Sequence, residues 1–186
     1  LDGNVVMESP YFINPAGFTI HSAVHMNRED ANVVMHLHTD QGVAVSSQKE
    51  GLLPISQTAM AIRADIAYHD YEGIALDLDE RERLVADLGP DKHSMLLRNH
   101  GTLTCGATAA MAFTRMFFLE RACKMQIMAL SADRDGVLEC DEGLQRKVAG
   151  QGGMTGERSG MHTLTEQLIW PAMKRKLDRE SPGYDA

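Results

Sequence analysis

The 186-residue sequence has no C-x-x-C pair, no apolar run long enough to span a bilayer and no surplus of positive charge. Each absence removes a class of function. Cys105, Cys123 and Cys140 are odd in number and at least 17 residues apart, so they build no disulfide framework and read as reduced, mostly buried thiols of a cytoplasmic protein. Arg115, Glu120, Arg121 and Lys124 interrupt the most apolar stretch, which denies it the roughly 18 uninterrupted residues of a membrane helix. Lys and Arg number 18 against 26 Asp and Glu, a formal net charge of −8, so nothing is left over to neutralise phosphates along a duplex, and nucleic acid is not expected as a partner. The late basic residues Lys174, Arg175, Lys176 and Arg179 sit beside Asp178 and Glu180 in a helical pattern and read as a solvated helix end. Also lacking are a phosphate-binding glycine loop, since the glycines at 150–156 precede no Lys-Ser or Lys-Thr, and a G-x-S-x-G nucleophile elbow. The sequence opens on Leu1 and not Met, so the lack of a signal peptide in it carries no weight.

What is present is the balance of an ordinary globular protein, 44% apolar and 24% charged. The length suits a single domain over 1–186. Asp2 and Gly3 make a turn into a short strand over 4–8, which would pair with chain before it. A helix follows the turn cluster at 14–17 and runs to Asn27. Residues 32–39 alternate as a strand, with Val33, Met35 and Leu37 on one face and Val34, His36 and His38 on the other. Further helices are expected over 41–47, after Ser56, over 79–88 closed by Gly89, from Thr108 to about Leu130, and from about Gly160 towards Leu177. Strands are expected at 66–68, 94–98 and 103–105, and a flexible loop at 151–156. Strands alternating with helices imply an α/β fold, a sheet covered by helices on its faces.

The chemistry concentrates in histidine. His36 and His38 are two apart, which in a strand puts both imidazoles on one face about 7 Å apart at Cα, close enough to share an ion. His100, delivered by a buried strand and followed by Gly101, supplies a third ligand. Three neutral imidazoles leave a fourth position for water or substrate, as in catalytic sites. A second pair, His21 and His25, is four apart on one helix face, but Ser22 stands where an H-E-x-x-H protease has its Glu. The segment 68–72, Tyr-His-Asp-Tyr-Glu, reads equally as a substrate loop or a polar surface turn. The twelve Met, with Phe113, Phe117 and Phe118, read as packing.

His36-Leu-His38-Thr39, Gly51-Leu-Leu-Pro-Ile-Ser-Gln57, Ala67-Tyr-His-Asp-Tyr-Glu-Gly73 and Leu97-Arg-Asn-His-Gly101, in this order, resemble the class II aldolase/adducin family, nearest its bacterial branch like the adducin head domain. The resemblance implies a three-layer αβα fold with a central, mostly antiparallel sheet, a homotetramer with sites between subunits, and family N-terminal elements that this sequence lacks. It implies metal at His36, His38 and His100, commonly zinc, with Fe, Mn or Co as alternatives. The expected activity is that of a carbon–carbon lyase, aldolase or decarboxylase in type, acting on a small oxygenated carbonyl or sugar-derived substrate through a metal-stabilised enolate. Where the family's fuculose-phosphate aldolases carry the proton-moving Glu, an ungapped count from His36 lands on Gly17, and a second acidic position falls on Ala59. His21, one turn beyond Gly17, is the nearest substitute. Tyr184 resembles a Tyr that relatives lend to a neighbouring subunit. Two other readings stay open: an adducin-like binding or assembly module, and an Fe(II)-dependent oxygenase.

Overall fold

The computed structural model describes residues 3–153 and 160–185. Its sheet has four strands in the order β1 (Val33–Leu37), β4 (Gly101–Gly106), β3 (Ser94–Leu97) and β2 (Ile66–His69). β4 pairs antiparallel with both β1 and β3, while β2 pairs parallel with β3. The sheet is thus mixed and mostly antiparallel. Strand alternation divides its side chains between two cores. On one side Val34, Met95, Leu97, Leu103 and Cys105 pack with Ile20, Val24, Leu84 and Leu88, from α1 (Pro15–Asn27) and α4 (Glu80–Leu88). On the other, Ile66 and Leu96 meet Val45, Ile62, Leu119 and Cys123. Those come from α2 (Asp40–Ser46), α3 (Gln57–Ile62) and α5 (Ala109–Leu130). Helix, sheet and helix give the three layers of an αβα sandwich.

The helix boundaries have local causes. Asn14, Thr39, Ser56 and Thr108 each cap a helix, accepting from the backbone N–H of Ala16, Gly42, Ala59 and Met111. Gly89 closes α4 at φ +65°. Arg28, buried at the end of α1, donates to the Asp30 carboxylate and to the carbonyls of Gly89 and Lys92, tying α1 to the loop between α4 and β3.

Three expectations need correction. No strand forms over 4–8: residues 3–14 adopt neither helix nor strand, and Val5, Val6 and Met7 are exposed. A strand needs a pairing edge for its N–H and C=O groups, and none of the four strands takes this segment. Residues 142–152 form a helix beyond those expected from the sequence, α6 (Glu142–Gly152), capped by Asp141 and packed on α3. It claims Gln151 and Gly152 from the expected loop, of which 154–156 lie outside the described residues. The last helix is not uniform: α7 (Met161–Leu164) widens into a π-turn over Thr165–Ile169 before α8 (Trp170–Glu180). Pro171 explains the widening, because its ring and missing N–H cannot continue a regular α-turn. At the far end Lys176 pairs with Glu180, the solvated helix end the sequence suggests. Among the described residues no helix is long and apolar enough to cross a membrane.

Candidate metal centre

β1 ends on Leu37, and His36 and His38 bracket that end. β3 hands over to β4 through a tight turn, Arg98-Asn99-His100, in which Asn99 adopts φ +57° and the His100 N–H donates to the Leu97 carbonyl. β1 and β4 are neighbours, with His36 opposite Leu103 and Leu37 opposite Thr102. The turn therefore delivers His100 beside the two other imidazoles. Ring centroids of His36, His38 and His100 lie 4.6, 4.8 and 4.7 Å apart, nearly an equilateral triangle.

The nitrogens suit a cation. His36 Nδ1 is 2.9 Å from the Thr102 carbonyl oxygen. A carbonyl only accepts, so Nδ1 carries the proton and Nε2 presents a bare lone pair. That Nε2 lies 2.7 Å from His38 Nε2, and one nitrogen from each of the three rings falls within 4.8 Å of the others. A tetrahedral ion bonded to imidazole at about 2.1 Å spaces its ligands by about 3.4 Å, between those two values. Burial, then the neighbouring His100, His38 and His21, draws His36 down to about 4 against the lift from its Thr102 hydrogen bond. Burial and the neighbours His38 and His69 lower His100 as well. Near neutral pH both rings are held in the unprotonated form a metal requires. His38 is solvent-exposed, which leaves the cluster open to a guest molecule on its side. A cavity of about 560 Å³ lined by Asp70, Tyr71, Arg98 and Asn99 borders the turn that carries His100, and another of about 400 Å³ lies away from the imidazoles between Met60, Tyr68, Gln145 and Ala149.

The remaining candidates fall at different distances from this point. His21, on α1, is near enough to His36 to oppose its protonation and stands outside the ligand group. Burial, then His25, lowers its own pKa. His25 donates from Nδ1 to the Ala31 carbonyl, 2.9 Å away, and so serves the end of α1. Ala59 is enclosed in the core and Gly17 has no side chain, so neither supplies a base. Tyr184 lies by Phe113, Trp170 and Leu177 along an apolar groove, not among the residues gathered at the imidazoles. The segment 68–72 divides: Asp70, Tyr71 and Glu72 face solvent, with the Tyr71 ring 6.4 Å from that of His100. His69 turns inward, its Nδ1 2.7 Å from Asp87 and its Nε2 3.4 Å from the buried Glu80. Its alternation with Ala67 in β2 is the signal that separates it from the loop.

Comparison with known proteins agrees with this fold. The family model described as class II aldolase and adducin N-terminal domain matches residues 1–127. A Caulobacter vibrioides protein named for the class 2 aldolases is 61% identical over 184 residues, 99% of this chain and 69% of that protein. Mouse alpha-adducin is 41% identical over 151 residues, which are 80% of this chain and 20% of the adducin. Among solved structures, an aldolase II superfamily protein from Pseudomonas syringae superposes with a TM-score of 0.87 at 46% identity, over 100% of this chain and 72% of that one. An L-fuculose 1-phosphate aldolase from Glaciozyma antarctica gives 0.74 at 25% identity, over 96% and 67%. By its sequence, its sheet and its neighbours, this chain belongs to the class II aldolase/adducin family.

Proposed function

We propose that the protein is a metal-dependent carbon–carbon lyase, of aldolase or decarboxylase type, for a small oxygenated carbonyl or sugar-derived substrate, with His36, His38 and His100 as metal ligands. The observation that carries this reading is the His36 ring, whose Nδ1 is committed to the Thr102 carbonyl while its Nε2 lone pair faces the other imidazoles, 2.7 Å from His38 Nε2. A divalent ion, zinc being the one that three imidazoles suit best and Fe, Mn and Co the alternatives, would supply Lewis-acid stabilisation of negative charge developing on a substrate oxygen. Around it His21, beside His36 and held towards its neutral form, takes up or returns the proton in place of the missing Glu. The working unit is a homotetramer in which Tyr184 of one copy reaches the imidazoles of another. Three free thiols suit a reducing cytoplasm.

The test is metal analysis of the purified protein followed by a survey of aldehydes and keto acids. Turnover that follows metal content and is lost in His100→Ala supports the proposal; stoichiometric metal with no cleavage of any carbonyl substrate removes the lyase. The adducin likeness favours a second reading, a binding module, for which co-sedimentation with actin filaments is the measurement. Oxygen uptake dependent on added Fe(II) would instead mark an oxygenase.

A further inference from the structure

On the face of the sheet opposite α1, two threonine hydroxyls converge on a single carboxylate, Glu120 of α5. Thr102 Oγ1 donates to Glu120 Oε1 at 2.5 Å, and Thr39 Oγ1 donates to Oε2. Thr39 Oγ1 already accepts from the Gly42 N–H at 3.0 Å as the cap of α2, so its own hydrogen is directed to the carboxylate. The packing leaves no slack. A β-carbon on Gly42 would lie 2.9 Å from Glu120 Oε1, from Thr102 Cγ2 and from Thr39 Oγ1. Among the described residues no Lys, Arg or His forms a salt bridge with Glu120, which is half-buried. Removing a carboxylate from water for hydroxyl partners alone is costly, and an apolar residue would fill the same space in α5 at less expense.

The identity of those two threonines gives the carboxylate a purpose. Thr39 directly follows His38. Thr102 is two residues beyond His100, and its carbonyl takes the Nδ1 proton of His36. The two hydroxyls therefore belong to the two short backbone segments that carry all three imidazoles. We infer that Glu120 is a positioning residue for the metal centre: through Thr39 and Thr102 it clamps those segments together and fixes the Nδ1-protonated tautomer of His36. The inference rests on the metal-centre reading for its purpose, and its geometry can be tested without an ion. Charge-assisted hydrogen bonds of this kind are the stiffest a hydroxyl can make, and outer partners of ligands commonly set metal affinity.

The experiment uses the full chain as wild type, Glu120→Ala, Glu120→Gln and Thr102→Val. Two readouts are taken: Co²⁺ affinity by chelator competition with its visible absorption spectrum, and imidazole ¹⁵N spectra of the metal-free protein. Glu120→Ala is expected to weaken Co²⁺ binding about 10- to 100-fold, to shift the absorption bands and to mix the His36 tautomers. Glu120→Gln, which can still pair with both hydroxyls, is expected to recover most of the affinity. Thr102→Val keeps the carbonyl and loses only the hydroxyl, so it decides the matter if Glu120→Ala does not fold. Folded Glu120→Ala or Thr102→Val protein with wild-type affinity, spectrum and tautomer overturns the inference. If the wild type takes up no ion, the proposed function fails and the tautomer spectra alone judge Glu120: an unchanged His36 tautomer in the variants overturns it.

Discussion

A β-carbon on Gly101 would sit 2.4 Å from the carbonyl oxygen of Leu37. The two residues lie side by side where β4 leaves the His100 turn and β1 approaches His38, so a glycine is what lets these strand ends come close enough for their imidazoles to meet. Gly101→Ala must push β1 away from β4. The expected cost is about 1–3 kcal/mol of stability, together with weaker metal binding, read by urea unfolding and chelator competition. Gly150→Ala is the control. Its β-carbon meets nothing within 4 Å in α6, so it should be neutral or stabilising by up to about 1 kcal/mol.

His21→Ala separates proton transfer from metal binding. If His21 moves the proton, the variant keeps its ion and loses turnover by about 10²- to 10⁴-fold. A fall in metal content like that of His100→Ala would instead place His21 among the ligands.

The metal-free protein should weaken as the pH falls from about 6.5 towards 4. His36 has a folded pKa lowered to about 4 from an ordinary 6.5. In this interval the unfolded chain binds a proton that the folded chain refuses. The stabilisation is whole above the unfolded value and lost on descent through the folded one. His100 and His21 are shifted in the same direction. Urea titrations at pH 7.5, 6 and 5 measure the slope, and His36→Gln should flatten it. Asp30, held near 2 mainly by its hydrogen bonds from Arg28, enters only below this window.

Thiol chemistry reports on both cores independently. Burial lifts Cys105 to about 11 and Cys123 to about 12, while Cys140 is partly exposed. The native protein should therefore react with a thiol reagent once, at Cys140, and three times in denaturant. Rapid labelling of Cys105 or Cys123 would mean that the corresponding core is open.

The sequence made the histidine cluster legible because its members follow short-range rules. Two-residue spacing in a strand puts His36 and His38 together, and Leu97-Arg-Asn-His-Gly101 marks a strand ending in a tight turn. The caps at Ser56 and Thr108 were readable for the same reason. Glu120 was not, because its role exists only once β4 stacks on α5 and brings residues 39, 102 and 120 into one place. α6 left little trace, since it buries no residue fully and so lacks a strong apolar stripe. The segment 4–8 puts Val5, Val6 and Met7 behind an Asp-Gly turn as a short strand would, but local composition cannot supply the neighbour that a strand must pair with. His69 is a mixed case: the sequence marks the motif that contains it, and only its partnership with Asp87 and Glu80 makes it an interior residue and not a loop one.

The most direct measurement is the metal content of the purified full chain, by elemental analysis, beside His36→Ala and His100→Ala prepared identically. One equivalent of a divalent transition metal in the wild type and almost none in either folded variant is the expected result. A wild type that carries no ion and takes up none on titration, or variants that retain a full equivalent, would contradict the account.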